Sequence, residues 1–324
     1  MQAEERGDAR ADQQVVCGLP VEASVLFSDK KGTYNHRIEK ARTKLLKKLG
    51  FLGRFLAADE RILLVTTGCS PFTTVEQLTI GAAWTIVLKR AFFVFTNKRL
   101  LHIPTTTGWK YRGSIAQILY EDCRSLTVKG SRLVAEYRTG KKEKFNYISS
   151  RDRAIINHFA IEPNEADEPS EYPQRNHLCA HCTAVLPTPA PACPSCGLPF
   201  KTKAKARVYS MLFPGGGYFY VNRPLMGVLD AVVESNLLAL TVIGIVEGLR
   251  GNPEVGPMGI VFGGMLAFEK LLTVYHSNSF LAEFIPKDVK SLLRGQPQSA
   301  PAPQLKPPQE LRGMPEPEDV LSVR

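Results

Sequence analysis

Two apolar segments, Leu225 to Leu249 and Gly256 to Tyr275, constrain this chain more than any other feature, because each must find somewhere to hide. As helices their twenty-five and twenty residues rise ~38 and ~30 Å, enough to cross a ~30 Å hydrocarbon core. Burial inside a soluble bundle is the alternative, since Asp230, Glu234, Asn236 and Glu247 interrupt the first segment and Glu269 and Lys270 the second. Small-residue spacing favours the bilayer. Gly244-x-x-x-Gly248 and Gly259-x-x-x-Gly263, the latter extended to Ala267, let two backbones approach closely where lipid provides no hydrophobic drive for association. Lys201, Lys203, Lys205 and Arg207 precede the pair and Lys287, Lys290 and Arg294 follow it, while the connection Arg250 to Glu254 carries one charge of each sign. Positive residues stay inside, so both termini are expected in the cytoplasm.

Charges within such a hairpin are costly unless paired or turned inward. Helical rise places Lys270 at the depth of Asp230 and Glu234, which lie four apart on one face. Lys270 is expected to pair with one of them, the remaining acid being protonated or meeting a small polar pocket with Asn236. Snorkelling of Asp230 and Lys270 to the interface is the competing account. The lead-in from Val208 to Val221 spans only ~21 Å as a helix and is broken at Pro214-Gly215-Gly216-Gly217, so it cannot cross alone. It is expected to be re-entrant or interfacial. The polar N-terminus holds no apolar run, and no cleavable secretory signal is expected there.

Four of the seven cysteines form Cys179-Ala-His-Cys182 and Cys193-Pro-Ser-Cys196, two Cys-x-x-Cys knuckles ten residues apart. Four thiolates at that spacing suit one tetrahedral Zn²⁺ in a closed structural site, so Cys179, Cys182, Cys193 and Cys196 are the expected metal ligands. Gly197 provides a tight turn that aims backbone amides at sulfur. His177 and His181 are near enough to be alternative ligands, but are read as solvated neighbours. With four protein ligands no position remains for activated water, so catalysis by this metal is not expected. Cys17, Cys69 and Cys123 read as small hydrophobes. The stretch Cys179 to Phe200 resembles a zinc ribbon.

Ser210-Met-Leu-Phe-Pro-Gly-Gly-Gly-Tyr-Phe-Tyr-Val-Asn-Arg223 is similar to the motif that opens two-transmembrane-helix hairpin proteins of bacteria, with Asn222 where that pattern has Gly. The resemblance implies a multi-pass protein of a bacterial inner membrane. It implies no reaction.

Arg37 to Arg54 reads as a basic amphipathic helix, with Ile38, Ala41, Leu45, Leu49 and Leu52 on one face, suited either to an anionic membrane surface or to packing on its own domain. Short β-rich runs then follow: Arg61 to Thr67, Leu78 to Val87, Ala91 to Thr96, Arg99 to Ile103, Ser114 to Tyr120, Ser125 to Val128, Arg132 to Tyr137 and Glu143 to Tyr147. Ser149 or Ser150 can cap a closing helix from Arg151 to Phe159. Strands closed by one helix describe an α+β domain, a β-barrel or sandwich. Phe93-Val-Phe-Thr96-Asn97-Lys98-Arg99-Leu100-Leu101, with Glu60 before it, resembles the strand-turn-strand of a bacterial pleckstrin-homology-like domain, in which Thr96 and Asn97 make the turn and Arg99 braces a strand.

The expected organisation is therefore a flexible N-terminus (1–36), a basic helix (37–54), a pleckstrin-homology-like domain (55–161), an acidic linker (162–176), a zinc ribbon (177–200), a membrane hairpin with its lead-in (201–276), an amphipathic segment (277–294) and a Pro-rich disordered tail (295–324). No Walker loop, Gly-x-Ser-x-Gly or His-Glu-x-x-His occurs, so a non-enzyme is expected. The formal charge of +10 admits nucleic acid, anionic lipid or an acidic partner. The expected role is binding or scaffolding at a membrane face. Its partners are the bilayer and a protein or a second copy, held through the hairpin and the pleckstrin-homology-like domain. The alternative is a membrane-tethered nucleic-acid binder using ribbon and basic helix.

Overall fold

In a computed structural model, residues 13–158, 170, 172–186 and 190–289 are described. The expected strand-rich domain is present as a mixed α/β sheet domain whose centre is the run Arg90 to Thr96. Phe92 and Val94 face one way and Phe93 and Phe95 the other, and all four are buried, so apolar material must cover both faces. Eight strands form the main sheet: β1 (Gln13–Val16), β2 (Leu19–Glu22), β3 (Ile62–Cys69), β4 (Arg90–Thr96), β5 (Arg99–Pro104), β6 (Ile115–Leu119), β10 (Asn176–Leu178) and β11 (Val185–Leu186), in that order. A second sheet of β7 (Cys123–Lys129), β8 (Arg132–Tyr137) and β9 (Lys142–Phe145) covers one face with α5 (Ser150–His158). The other face is covered by α1 (Ala23–Leu26), α2 (His36–Leu46) and the 3₁₀ turn Gly50–Arg54 that follows it.

This arrangement changes some expectations and decides between others. Residues 13–36, assigned to a flexible N-terminus, build a β-hairpin and short helix that place Leu19, Val21, Leu26 and Phe27 in the core. The turn Cys17-Gly18 has positive φ at both residues, which matches the twist of a tight hairpin. The basic helix packs on its own domain: Leu46 is buried, and Arg42 is buried against Asp152 at 2.9 Å. Leu78 to Val87 is not a strand but lies in two helices, α3 (Thr74–Ile80) and α4 (Ala82–Leu88). Thr73 and Glu76 form a reciprocal capping box at the start of α3, and Gly81, with φ of 86°, breaks the chain between the helices. These local hydrogen bonds outweigh the β preference of the Thr, Ile and Val residues. The linker also ends earlier than expected, because Asn176 already belongs to β10.

Arg99 braces the domain as the resemblance implied. It bonds Glu60 at 2.7 and 2.9 Å as well as the Phe55 carbonyl and Gln117, and Thr96 donates to Glu60 at 2.8 Å. Burial alone would raise the Glu60 carboxyl, but Arg99 and the Ala57 amide outweigh it and hold Glu60 below its ordinary value. That contribution is complete above the ordinary carboxylate range and is lost only as pH falls through the lowered value.

The remaining elements are α6 (Lys203–Leu212), α7 (Gly216–Tyr220), α8 (Pro224–Leu249) and α9 (Gly256–Leu281). α8 and α9 form an antiparallel pair, each long and apolar enough to cross a membrane, with only 17% and 11% of their most apolar stretches buried. α9 runs past Tyr275 into the segment assigned as amphipathic, and its last turn packs on the sheet domain. Residues 295–324, assigned as a disordered tail, lie outside the described residues.

Arg99→Ala would leave Glu60 buried without its cation and should destabilise the sheet domain by ~3–5 kcal/mol, read as a lowered unfolding midpoint of the full chain. Arg99→Lys, which keeps the charge but loses the bidentate fork, should recover only part of this.

Candidate metal centre and the polar core of the hairpin

Each knuckle is built in the same way. Cys179 N–H bonds the Ala184 carbonyl and Thr183 N–H bonds the Cys179 carbonyl, while Cys193 N–H bonds Leu198 and Gly197 N–H bonds Cys193, all at 2.8 to 3.0 Å. The residue after each second cysteine takes positive φ: 73° at Gly197 and 63° at Thr183. Those turns aim amides at sulfur. His181 and Cys182 N–H point at Cys179 Sγ, and Ser195 and Cys196 N–H at Cys193 Sγ. Burial pushes the Cys179 thiol up, whereas at Cys193 the amides outweigh burial and hold the thiol below its usual range.

The four predicted ligands converge. Their sulfurs lie within 4.8 Å of one another, with Cys179 to Cys196 and Cys182 to Cys193 both 3.6 Å apart. A tetrahedral ion with ~2.3 Å bonds to sulfur needs sulfurs ~3.8 Å apart, whereas a disulfide needs ~2.05 Å. The donor set therefore fits a metal ion. Neither histidine joins it. His181 is exposed and its ring is not among the clustered ligands, and His177, read as solvated, is buried in β10 with its ring 4.8 Å from that of Phe284. Burial, then the nearby Arg175 charge, hold His177 well below its ordinary value.

The metal module is not a free knob. β10 pairs with β6 through Asn176, His177 and Leu178, so the main sheet runs directly into it. On its other side Phe200 bridges to Pro286, Lys201 N–H bonds the Ile285 carbonyl at 2.9 Å, and Lys287 N–H bonds the Pro199 carbonyl at 3.0 Å. Sheet, module and the end of α9 form one continuous structure.

The charged residues Glu234, Lys270 and Asp230 inside the helix pair find partners. Lys270 Nζ lies 2.8 Å from Glu234 Oε2, and the same oxygen accepts the Gly215 N–H at 2.8 Å. Lys270 also donates to the Ser210 and Phe213 carbonyls at 2.9 and 3.3 Å. Asp230 accepts from Thr273 at 3.0 Å. Of the two acids predicted as partners of Lys270, Glu234 is the one that meets it. Asn236 is not in that pocket; it is exposed and donates to the Val232 carbonyl one turn back.

The glycines are explained by contact. A Cβ on Gly215 would sit 2.0 Å from the Gly227 carbonyl oxygen, one on Gly216 2.2 Å from that of Tyr209, and one on Gly217 2.1 Å from Ser210 Oγ. Gly244 meets Gly259, where a Cβ would lie 2.4 Å from its Cα, and Gly248 meets Gly256. The small-residue face of α9 is therefore Gly256 and Gly259, with Gly263 against Thr241.

Sequence reasoning missed the joint between the sheet domain and the helix pair. Lys89 lies 2.9 Å from Glu76, and Glu76 also accepts from Ser279 of α9. Arg112 reaches Glu283 at 3.5 Å and the Val221 carbonyl at 3.2 Å, while Arg223 donates to the Leu88 carbonyl and lies over the Phe280 ring. These residues are scattered over two hundred positions, and no local pattern marks them. The chain matches no family model, no curated protein and no solved structure.

The purified chain should carry about one equivalent of tightly bound metal, and Cys179→Ser or Cys196→Ser less than about half, because binding and folding of so small a module are one event. Thr183 is β-branched at positive φ, so Thr183→Gly should slow metal loss to a chelator by relieving roughly 1 kcal/mol of strain, whereas Gly197→Val should speed it. Lys270→Glu should reduce accumulated folded protein. Adding Glu234→Lys should restore part of it, since the ion pair returns but the bonds to Gly215, Ser210 and Phe213 do not, and adding Asp230→Lys should restore none.

Proposed function

We propose that this chain is a non-enzymatic, membrane-anchored binding or scaffolding protein: a cytoplasmic pleckstrin-homology-like domain and a structural zinc ribbon mounted on a two-helix hairpin of a bacterial inner membrane. One observation carries the reading. In α8 and α9 large apolar side chains point outward while Asp230, Glu234 and Lys270 turn inward: Leu249 and Ile260 are 85% and 79% exposed, while Glu234 is 1% exposed. Water would favour the reverse, and so large a continuous apolar surface suits lipid as the solvent.

Zinc is the metal proposed because four thiolates in a closed tetrahedron are the donor set of structural zinc sites. A reducing cytoplasm keeps those thiols available, in agreement with the positive residues at both ends of the hairpin. The rigid joint between sheet, ribbon and hairpin supports a platform held at fixed height over the bilayer. What it presents to a partner, or to a second copy, is the sheet domain.

A reporter active only outside the cytoplasm should give signal when inserted after residue 252 and none after residue 324; the opposite pattern overturns the topology. Full chain in detergent should bind anionic vesicles without binding oligonucleotide. Salt-dependent binding to oligonucleotide alone would favour the nucleic-acid alternative.

A further inference from the structure

A groove of about 690 Å³ opens beside α6 and α7 at the end of the hairpin where the chain enters α8. Lys201, Lys205 and Lys287 line one part of it, and Tyr209, Phe213 and Phe219 another. Among the described residues no carboxylate lines it. The pattern has a simple origin in the sequence: Lys201, Lys205, Tyr209 and Phe213 are spaced by four, so one face of α6 and its flanks carries two cations and then two aromatics. The facing wall is α7, where Gly216 adds no side chain and Tyr220 stacks on Tyr209 at 5.3 Å.

The cationic part lacks what usually neutralises lysines. Neither Lys205 nor Lys287 has a carboxylate within ion-pair distance among the described residues. Lys201 Nζ donates to the Tyr220 carbonyl and to Asn222 Oδ1 at 2.8 Å, which commits two of its three donors. Burial, and then the Arg112 charge, lower the Lys201 amine to about 8, so an anion beside it would relieve a strained charge.

The aromatic part excludes a purely polar anion as the natural occupant. Phe213 and Phe219 are exposed, and the adjoining surface of α6 presents Val208, Met211 and Leu212 outward. A ligand that fills the groove must therefore be anionic at one end and apolar at the other. The level is also right: Lys201 Nζ reaches Asn222, two residues before α8, and Lys287 lies six residues past the end of α9, where headgroups would lie around a hairpin spanning the bilayer.

We infer that this groove is a specific site for one anionic glycerophospholipid, its phosphate held by Lys201, Lys205 and Lys287 and an acyl chain laid along Tyr209, Phe213 and Phe219. The inference rests on the membrane reading proposed above and adds a bound lipid to it. The lipid would act as a wedge between the ribbon joint and the lead-in helices, fixing them at the membrane face.

The test is native mass spectrometry of the full chain from micelles doped with equal phosphatidylglycerol and phosphatidylcholine. Wild type should retain phosphatidylglycerol selectively. Lys205→Gln with Lys287→Gln, which leaves the Lys201 bonds to Tyr220 and Asn222 intact, should weaken that retention by about fivefold for each lysine removed. Lys205→Glu alone, an exposed change on α6, should weaken it further than Lys205→Gln. An unchanged melting temperature separates loss of the site from loss of the fold. Equal retention by wild type and the double variant, or no preference for phosphatidylglycerol, overturns the site. Displacement of the lipid by millimolar inorganic phosphate also overturns it, since a free anion would then suffice. Resistance of the chain to alkaline extraction from membranes tests the membrane reading separately: a chain that stays in the membrane but shows no lipid preference sinks this site alone.

Discussion

The pair Glu234–Lys270 holds α8, α9 and the lead-in before them together. Two opposite charges sit inside a pair of helices whose outer surfaces are hydrocarbon, and neither tolerates being left alone there. Each also holds backbone of the lead-in. The carboxylate takes the Gly215 amide, and the ammonium takes the carbonyls of Ser210 and Phe213, which lie where the chain breaks between α6 and α7. One ion pair thus pins a broken helix against an intact hairpin. Glycines at 215, 216 and 217 follow from the pinning, since the backbone is drawn too close for a Cβ. Asn222, five residues on, adopts φ of 60°, a left-handed turn that Asn tolerates better than most residues.

From that anchored lead-in the rest is hung by charge. Arg223 leaves the start of α8 to reach the end of α4, Arg112 reaches from the sheet domain to Glu283, and Lys89, Glu76 and Ser279 close the joint from the other side. Buried ions are poor sources of net stability but strong selectors of one geometry, because a slipped joint would strand a charge. Such a joint suits a domain that must be held in a fixed orientation on its mount.

Much of this was legible in sequence where the signal is local. The knuckles, the β-rich run Ala91 to Thr96 and the two long apolar helices each declare themselves within a few residues, while the brace by Arg99 was legible only through a resemblance. The losses came where tertiary context decides. β1 and β2 are four residues each and too polar to read as strands, and only pairing with β3 makes Leu19 and Val21 core residues. α3 and α4 are rich in Thr, Ile and Val, and only the capping box and Gly81 reverse that preference. Lys270 could be matched to two acids by depth, but choosing Glu234 required the position of Gly215, which no spacing gives.

The pairing of β10 with β6 ties the metal centre to the integrity of the sheet. β6 hydrogen-bonds to β5 on one side and on the other to a strand that runs straight into the first cysteine. A cell starved of metal would therefore not merely lose a small appendage. It would strip the cover from Ile115, Ala116 and Gln117 and expose a row of unpaired amides and carbonyls beside a buried apolar face, the template from which sheets grow between molecules. Metal supply, through this one strand, would become a guard against sheet-edge aggregation.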